Sequence, residues 1–263
     1  MTLDTATLLT DATQLLKRCD FEPAKTAADA ALHQATAAND RGSVARAQKL
    51  IGDYYRYNSN AFEAARLYEE VLKAAVEVGD KALLADTQLA YGRLKMPQGQ
   101  QDNAWLLYES AGELYEALGD VGGKGQTLGG RGDVAFHRGD AATARKLYDE
   151  ALVLCEQAGD HLGQAHTLKS LGRMVHSLEG PEAALGILQR SLDAYQASGF
   201  RYGEAFTWQY YAQILGQERR LPEAAEALGK AADLFDAINL PGQAGRMRDF
   251  QTQVKSAMVE QGA

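Results

Sequence analysis

The chain has 263 residues, 46% hydrophobic and 24% charged, with five prolines; that balance excludes a disordered, collagen-like or disulfide-stapled protein. A formal charge of −8 disfavours nucleic acid and anionic lipid as general partners. The longest apolar runs, Ala104–Tyr108 and Ala151–Cys155, fall far short of the roughly 20 residues a membrane-spanning helix requires, so no membrane insertion is expected.

Asp4 and Asp11 precede the first base, Lys17, and the N-terminus lacks the basic start and apolar core of a secretory signal, which implies a cytoplasmic protein. A short helix is predicted near Leu8 to Lys17 and a second near Pro23 to Ala38. From there Asn39-Asp40, Gly79-Asp80, Gly119-Asp120, Gly159-Asp160, Gly199 and Asn239 recur 40 residues apart without an insertion. Gly and Asn tolerate the left-handed conformation that closes a helix, and an Asp directly after them caps the next one. Each 40-residue unit therefore begins at a helix end.

Inside the units small residues recur at Gly52, Gly92, Gly132, Gly172 and Ala212, and again at Ala64, Ala104, Ala144, Ala184 and Ala224. Four residues on stand Tyr68, Tyr108, Tyr148, Leu188 and Leu228; three further on, Val71, Ala111, Ala151, Ser191 and Ala231. Spacings of four and three keep these side chains on one helical face. The small residues let two antiparallel helices approach, while the large ones fill the gap between successive pairs. In the second full unit helix A is predicted at about 82–97 and helix B at about 102–118, with Pro97 and Gly99 in the turn. Met247, Phe250, Val254 and Met258 form an apolar stripe on a final, otherwise polar helix, which reads as a solubilising cap.

These rows resemble the tetratricopeptide repeat family. Trp208, Ile51-Gly52, Leu171-Gly172, Tyr55, Ala64, Tyr68 and Ala151 fall at the family's spacings. The unit of 40 exceeds the family's usual 34, and the proline that ends helix B is absent, both of which fit lengthened helices. The resemblance implies an all-α, right-handed solenoid of antiparallel helix pairs, a superhelix of about thirteen helices. One domain over 1–263 is expected: a partial repeat at 1–39, full repeats at 40–79, 80–119, 120–159, 160–199 and 200–239, and a capping helix at 240–263.

The residues offer little chemistry. Gly119 to Thr127 evokes a phosphate loop, but its glycine spacing is wrong and Gly125 stands where Ser or Thr should follow the lysine. His166 and His176, ten residues apart on one helix, are about 15 Å apart by helical rise and cannot share a metal. Cys19 and Cys155 have no metal or redox spacing, so they read as buried thiols. No nucleophile, base and orienting group assemble, so no enzyme, metal or cofactor is expected.

The resemblance further implies that helix A lines a concave inner wall, read here at spacings of three and four. The first full unit gives Arg46, Lys49, Asp53, Arg56 and Tyr57; the second, Asp86, Leu89, Arg93 and Met96. The third gives Gln126, Gly129, Asp133, Phe136 and His137; the fourth, His166, Lys169, Arg173 and His176; the fifth, Phe206, Gln209, Tyr210 and Gln213. Six bases stand against three acids, a groove of +3 in a protein of −8, and a concavity of one sign focuses its field on ligands of the other. The alternative is mutual compensation, because Asp53, Arg93, Asp133 and Arg173 alternate at one equivalent position. The glycines of the third unit invite a second expectation: Gly129 hollows the groove's middle, leaving a pocket walled by Arg93, Asp133, His137, Lys169 and Arg173.

The function these features point to is a non-enzymatic adaptor that binds a partner protein or acidic peptide in the groove. A sensor for a small anionic ligand or signalling peptide and a self-assembling scaffold, a homo-oligomer, are the alternatives. The lysine and asparagine clamp by which some members of the family hold a chaperone's C-terminal carboxylate is not matched: Lys49 fits, but Asp53 and Ala90 stand where asparagines are needed.

Overall fold

The computed structural model describes residues 3–262, which form thirteen α-helices and one 3-10 turn and, among the described residues, no strand. They group into two compact units, Met1–Gly159 and Asp160–Ala263. The first holds α1 (Thr5–Lys17), α2 (Phe21–Ala37), α3 (Arg41–Tyr57), α4 (Ala61–Val78), α5 (Lys81–Lys95), α6 (Gln101–Leu118), α7 (Val121–His137) and α8 (Ala141–Gln157). The second holds α9 (His161–Glu179), α10 (Pro181–Ser198), α11 (Arg201–Gln217), α12 (Leu221–Ala237) and α13 (Pro241–Gly262). Within each unit every helix packs on the next in sequence, and in the first unit α3 also touches α5 and α5 touches α7.

The repeat boundaries behave as their residues require. Asn39, Gly79, Gly119, Gly159, Gly199 and Asn239 all have positive φ, and Asp40, Asp80, Asp120 and Asp160 each accept a hydrogen bond from the backbone N–H three residues on, at 2.8–3.1 Å. A second left-handed series lies midway: Cys19, Ser59, Gly99, Gly139, Gly180 and Arg219. Cysteine, serine and arginine carry no turn signature, so three of these six turns were not legible; Gly139-Asp140 and Gly180-Pro181 carry one, although only the Pro97–Gly99 turn was expected. There α5 stops at Lys95 and a 3-10 turn, Met96–Gln98, takes over. Pro97 fits its first turn, where no N–H is needed. The N-terminal helices start earlier than expected: Asp4 caps α1 through the Thr7 N–H, and Pro23 is accommodated in the first turn of α2.

The core follows the rows. Ala64, Ala104, Ala144, Ala184 and Ala224 are wholly buried, as are Tyr68, Tyr108, Tyr148 and Leu188 to within 1%. Cys19 and Cys155 are buried too. On α13 Met247 is buried, but Phe250 is 46% exposed, so the expected apolar stripe is only partly covered. Glu204, in the first turn of α11, is 8% exposed. Burial raises its carboxyl above the ordinary value, against the opposing Trp208 hydrogen bond and Arg201 charge. A carboxyl raised in the folded state favours the protonated form there, so Glu204 increasingly destabilises the fold as pH rises through its folded value. Glu204→Gln should therefore raise the melting temperature at pH 8 and leave it unchanged near pH 3; equal effects at both would mean that ionisation is not the cause.

Candidate functional site

The candidate residues of the first unit lie on α3, α5 and α7, apart from Met96, which is in the 3-10 turn after α5. Asp53 is 6% exposed and sits in a knot of partners: Lys49 Nζ at 2.7 Å, Arg56 Nη2 at 3.8 Å, and the Tyr68 hydroxyl, which donates to Oδ1 at 2.7 Å. Burial opposes the charge on Asp53, but Lys49 and Arg56 outweigh it and hold the carboxyl below its ordinary value. Burial likewise opposes the Lys49 charge, which Asp53 and Asp86 outweigh, leaving the ammonium raised. Arg56 also lies 4.1 Å over the Tyr57 ring and donates to the Tyr68 hydroxyl at 3.3 Å; Tyr57 stacks on Phe21. The expected open acid of the groove is thus the buried centre of an ion cluster. Leu89, also expected on the inner face, is buried in the core with Tyr108 and Tyr115.

The other charges of this unit are held as well. Arg46 Nη2 reaches Asp80 at 2.6 Å, an acid outside the expected set, so the unit's four bases face four acids. Asp86 accepts from the Tyr115 hydroxyl at 2.7 Å, and Asp133 from the Tyr148 hydroxyl at 2.8 Å. Arg93 Nη2 donates to Gln126 Oε1 at 2.8 Å. Compensation therefore runs through Asp53 within its repeat, through Asp80 of the next repeat for Arg46 and through tyrosine hydroxyls, and Arg93 hydrogen-bonds a neutral amide where a charge ladder would pair it with Asp53 or Asp133. Phe136 and His137 have their ring centroids 6.3 Å apart, and His137 is exposed.

Gly129 is buried on α7, so Gly129→Leu would disturb packing as well as any ligand. The glycines around it have a structural reason. A Cβ on Gly123 would lie 2.5 Å from the Tyr115 ring, one on Gly132 2.6 Å from the Tyr148 ring, and one on Gly125 2.8 Å from Cys155 Sγ and 3.2 Å from backbone atoms of α8. Helix α7 is glycine-rich because α6 and α8 press against it. The loop-like stretch from Gly119 to Thr127 is the start of this helix, with Asp120 accepting from the Gly123 N–H.

In the second unit the candidates lie on α9 and α11, which touch. The Tyr195 hydroxyl is 2.8 Å from His166 Nδ1, and the Tyr210 hydroxyl 2.7 Å from His176 Nδ1. Lys169 Nζ and the Arg173 guanidinium each lie 5.9 Å from the centroid of a tyrosine ring, Tyr195 and Tyr210 respectively. Phe206 meets Phe235 edge-on at 5.0 Å and Tyr202 at 4.8 Å. Gln209 Oε1 is buried without a hydrogen-bond partner, and Gln213 is exposed. Among the described residues no three His, Cys, Asp or Glu side chains gather in a way that could hold a metal ion, and no helix is long and apolar enough to cross a membrane.

Sequence reasoning placed the tyrosines in the core and missed their hydroxyls. Asp53–Tyr68 and Asp133–Tyr148 are both 15 residues apart, and Asp86–Tyr115 and His166–Tyr195 both 29 apart. These constant offsets between polar groups and tyrosines were present in the sequence. They show that one packing register is reused, so that buried rings deliver hydroxyls to the helix-A face and hold its side chains.

Residues 124–197 match the family model described as tetratricopeptide repeat. A comparison with curated protein sequences gave no match. Among solved structures, a Rap protein complexed with Competence and Sporulation Factor superposes with a TM-score of 0.66 at 12% identity, over 95% of this chain and 74% of that one. Aspartyl phosphate phosphatase F from Bacillus subtilis gives 0.59 at 13% identity, over 93% and 68%. A signal transduction ATPase with numerous domains and a tetratricopeptide repeat sensor, from Pyrococcus horikoshii, gives 0.62 at 14%, over 98% of this chain and 43% of that one. At such identities the likeness shows the fold, an all-α solenoid of helix pairs. Residues 124–197 thus carry tetratricopeptide repeats, and the 40-residue phase of the sequence continues unbroken on either side of them.

Proposed function

We propose that the chain is a non-enzymatic adaptor whose helix-A faces bind an acidic peptide or an acidic segment of a partner protein. One observation carries the reading: Arg93 and Arg173 occupy equivalent positions two repeats apart, and neither has a carboxylate partner among the described residues. In a chain with an excess of acids this leaves one such guanidinium in each unit for anions from outside. Arginine suits that task because its planar fork accepts a carboxylate at two points. The tyrosines that hold the neighbouring side chains lower the entropy lost on binding. A structural neighbour complexed with Competence and Sporulation Factor, and another whose repeats serve as a sensor, accord with a recognition role.

Fluorescence anisotropy with labelled hexaglutamate tests this. Binding should weaken as salt rises from 50 to 500 mM, since exposed charges more than a Debye length apart, roughly 10 Å at 0.1 M, are screened. The double substitution Arg93→Glu, Arg173→Glu should abolish it, with hexaglutamine unbound throughout. Binding that ignores both salt and charge reversal would overturn the proposal.

A further inference from the structure

In the first and third full repeats a carboxylate takes the hydrogen bond of the tyrosine 15 residues ahead, Asp53 from Tyr68 and Asp133 from Tyr148. In the second repeat the same two positions carry Arg93 and Tyr108. A guanidinium is all donor, so Tyr108 cannot repeat the bond. Its ring is nonetheless fixed as firmly as its equivalents. It is 1% exposed, and a Cβ on Gly92 would lie 2.5 Å from it, one on Gly130 2.7 Å. The ring is threaded between the backbones of α5 and α7, which leaves the hydroxyl little freedom of position.

Among the described residues that hydroxyl has no hydrogen-bond partner, and the charges of Asp133, Arg93 and Arg56 all act on it. Arg93 is oriented by Gln126 and Arg56 by Tyr57 and Tyr68. Asp133 repels an anion, but its carboxylate already accepts from Tyr148; Arg56 is shared with Asp53 at 3.8 Å, so Arg93, held only by a neutral amide, is the cation left to attract one.

We infer that Tyr108 and Arg93 form a subsite for one carboxylate of an acidic peptide on the α3, α5 and α7 face. The ligand's carboxylate takes the Tyr108 hydrogen as Asp53 and Asp133 take those of Tyr68 and Tyr148, and completes the pattern from outside the chain. A donor hydroxyl beside a guanidinium that a neutral amide holds suits a group that is all acceptor. This rests on the acidic-peptide reading above and names where on the first unit that peptide places a charge.

The test uses labelled hexaglutamate with the wild type, Tyr108→Phe and Tyr148→Phe, and follows the Tyr108 resonance in protein carrying 13C at the tyrosine Cζ. Tyr108→Phe should weaken hexaglutamate about tenfold, the value of one hydrogen bond to a charged group, while its melting temperature stays at the wild-type value because no internal bond is lost. Tyr148→Phe, which loses its bond to Asp133, should melt lower. Hexaglutamate should shift the Tyr108 signal, and sodium acetate at equal carboxylate concentration should not. Equal shifts by acetate would make this a free-anion site and overturn the peptide form. If wild type and Tyr108→Phe bind hexaglutamate equally, the subsite is wrong and the adaptor reading stands; if the wild type does not bind it, the adaptor reading fails.

Discussion

Gly125→Val should be the most disruptive single substitution in the α7 and α8 pair, lowering stability by about 3 kcal/mol or more. A Cβ there meets Cys155 Sγ at 2.8 Å, and it also meets the Ala151 carbonyl oxygen and the Cys155 nitrogen, each at 3.2 Å. A sulfur can turn aside, but backbone atoms of a packed helix cannot, and overpacking a filled interior typically costs about 1–3 kcal/mol for each misfit. A β-branched residue adds two γ-methyl groups to that contact. The contrast is Gly186→Ala on α10, where a Cβ meets nothing within 4 Å. It should stabilise by roughly 0.5–1 kcal/mol through helix propensity alone. Urea denaturation of both variants measures the difference. If Gly125→Val is as mild as Gly186→Ala, the glycines of α7 do not serve close approach.

That contrast marks where the sequence was informative about the fold and where it was not. The helix ends at Asn39, Gly79, Gly119, Gly159, Gly199 and Asn239 were readable because each needs a residue that tolerates positive φ, and a capping Asp follows the first four. The mid-unit turns at Cys19, Ser59 and Arg219 adopt the same conformation with residues that do not announce it; there the packing of flanking helices imposes the turn. The glycines of α7 were visible, but their reason was not, because a missing Cβ can serve a ligand or a neighbouring ring and only coordinates distinguish the two. The candidate face was legible in its positions and misjudged in its charges. Helical spacing located Arg46, Asp53, Arg93 and Asp133, whereas their partners Asp80, Tyr68, Gln126 and Tyr148 lie 15 to 34 residues away. A count of charges along one face ignores what the next helix supplies.

Asp53→Ala should lower stability by about 3 kcal/mol at pH 7, the usual scale for removing one member of a buried ion cluster. The substitution leaves Lys49 and Arg56, with side chains only 20% and 17% exposed, with Asp86 as the remaining acid acting on Lys49, and takes the acceptor from the Tyr68 hydroxyl. Asp53→Asn should be milder, since an amide oxygen still accepts from Tyr68 while the charge is lost. The pH dependence follows from the direction of the shift. Asp53 titrates lower in the folded protein than the roughly 3.9 of an unfolded aspartate. Its ionic contribution is therefore complete above that value and disappears as pH falls through the folded one. The gap between wild type and Asp53→Asn should be widest at pH 7, persist at pH 5 and narrow below about pH 4, as read from urea midpoints at each pH. A gap unchanged down to pH 2.5 would mean that Asp53 stabilises the fold through hydrogen bonding alone, and that the charges on α3 are indifferent to it.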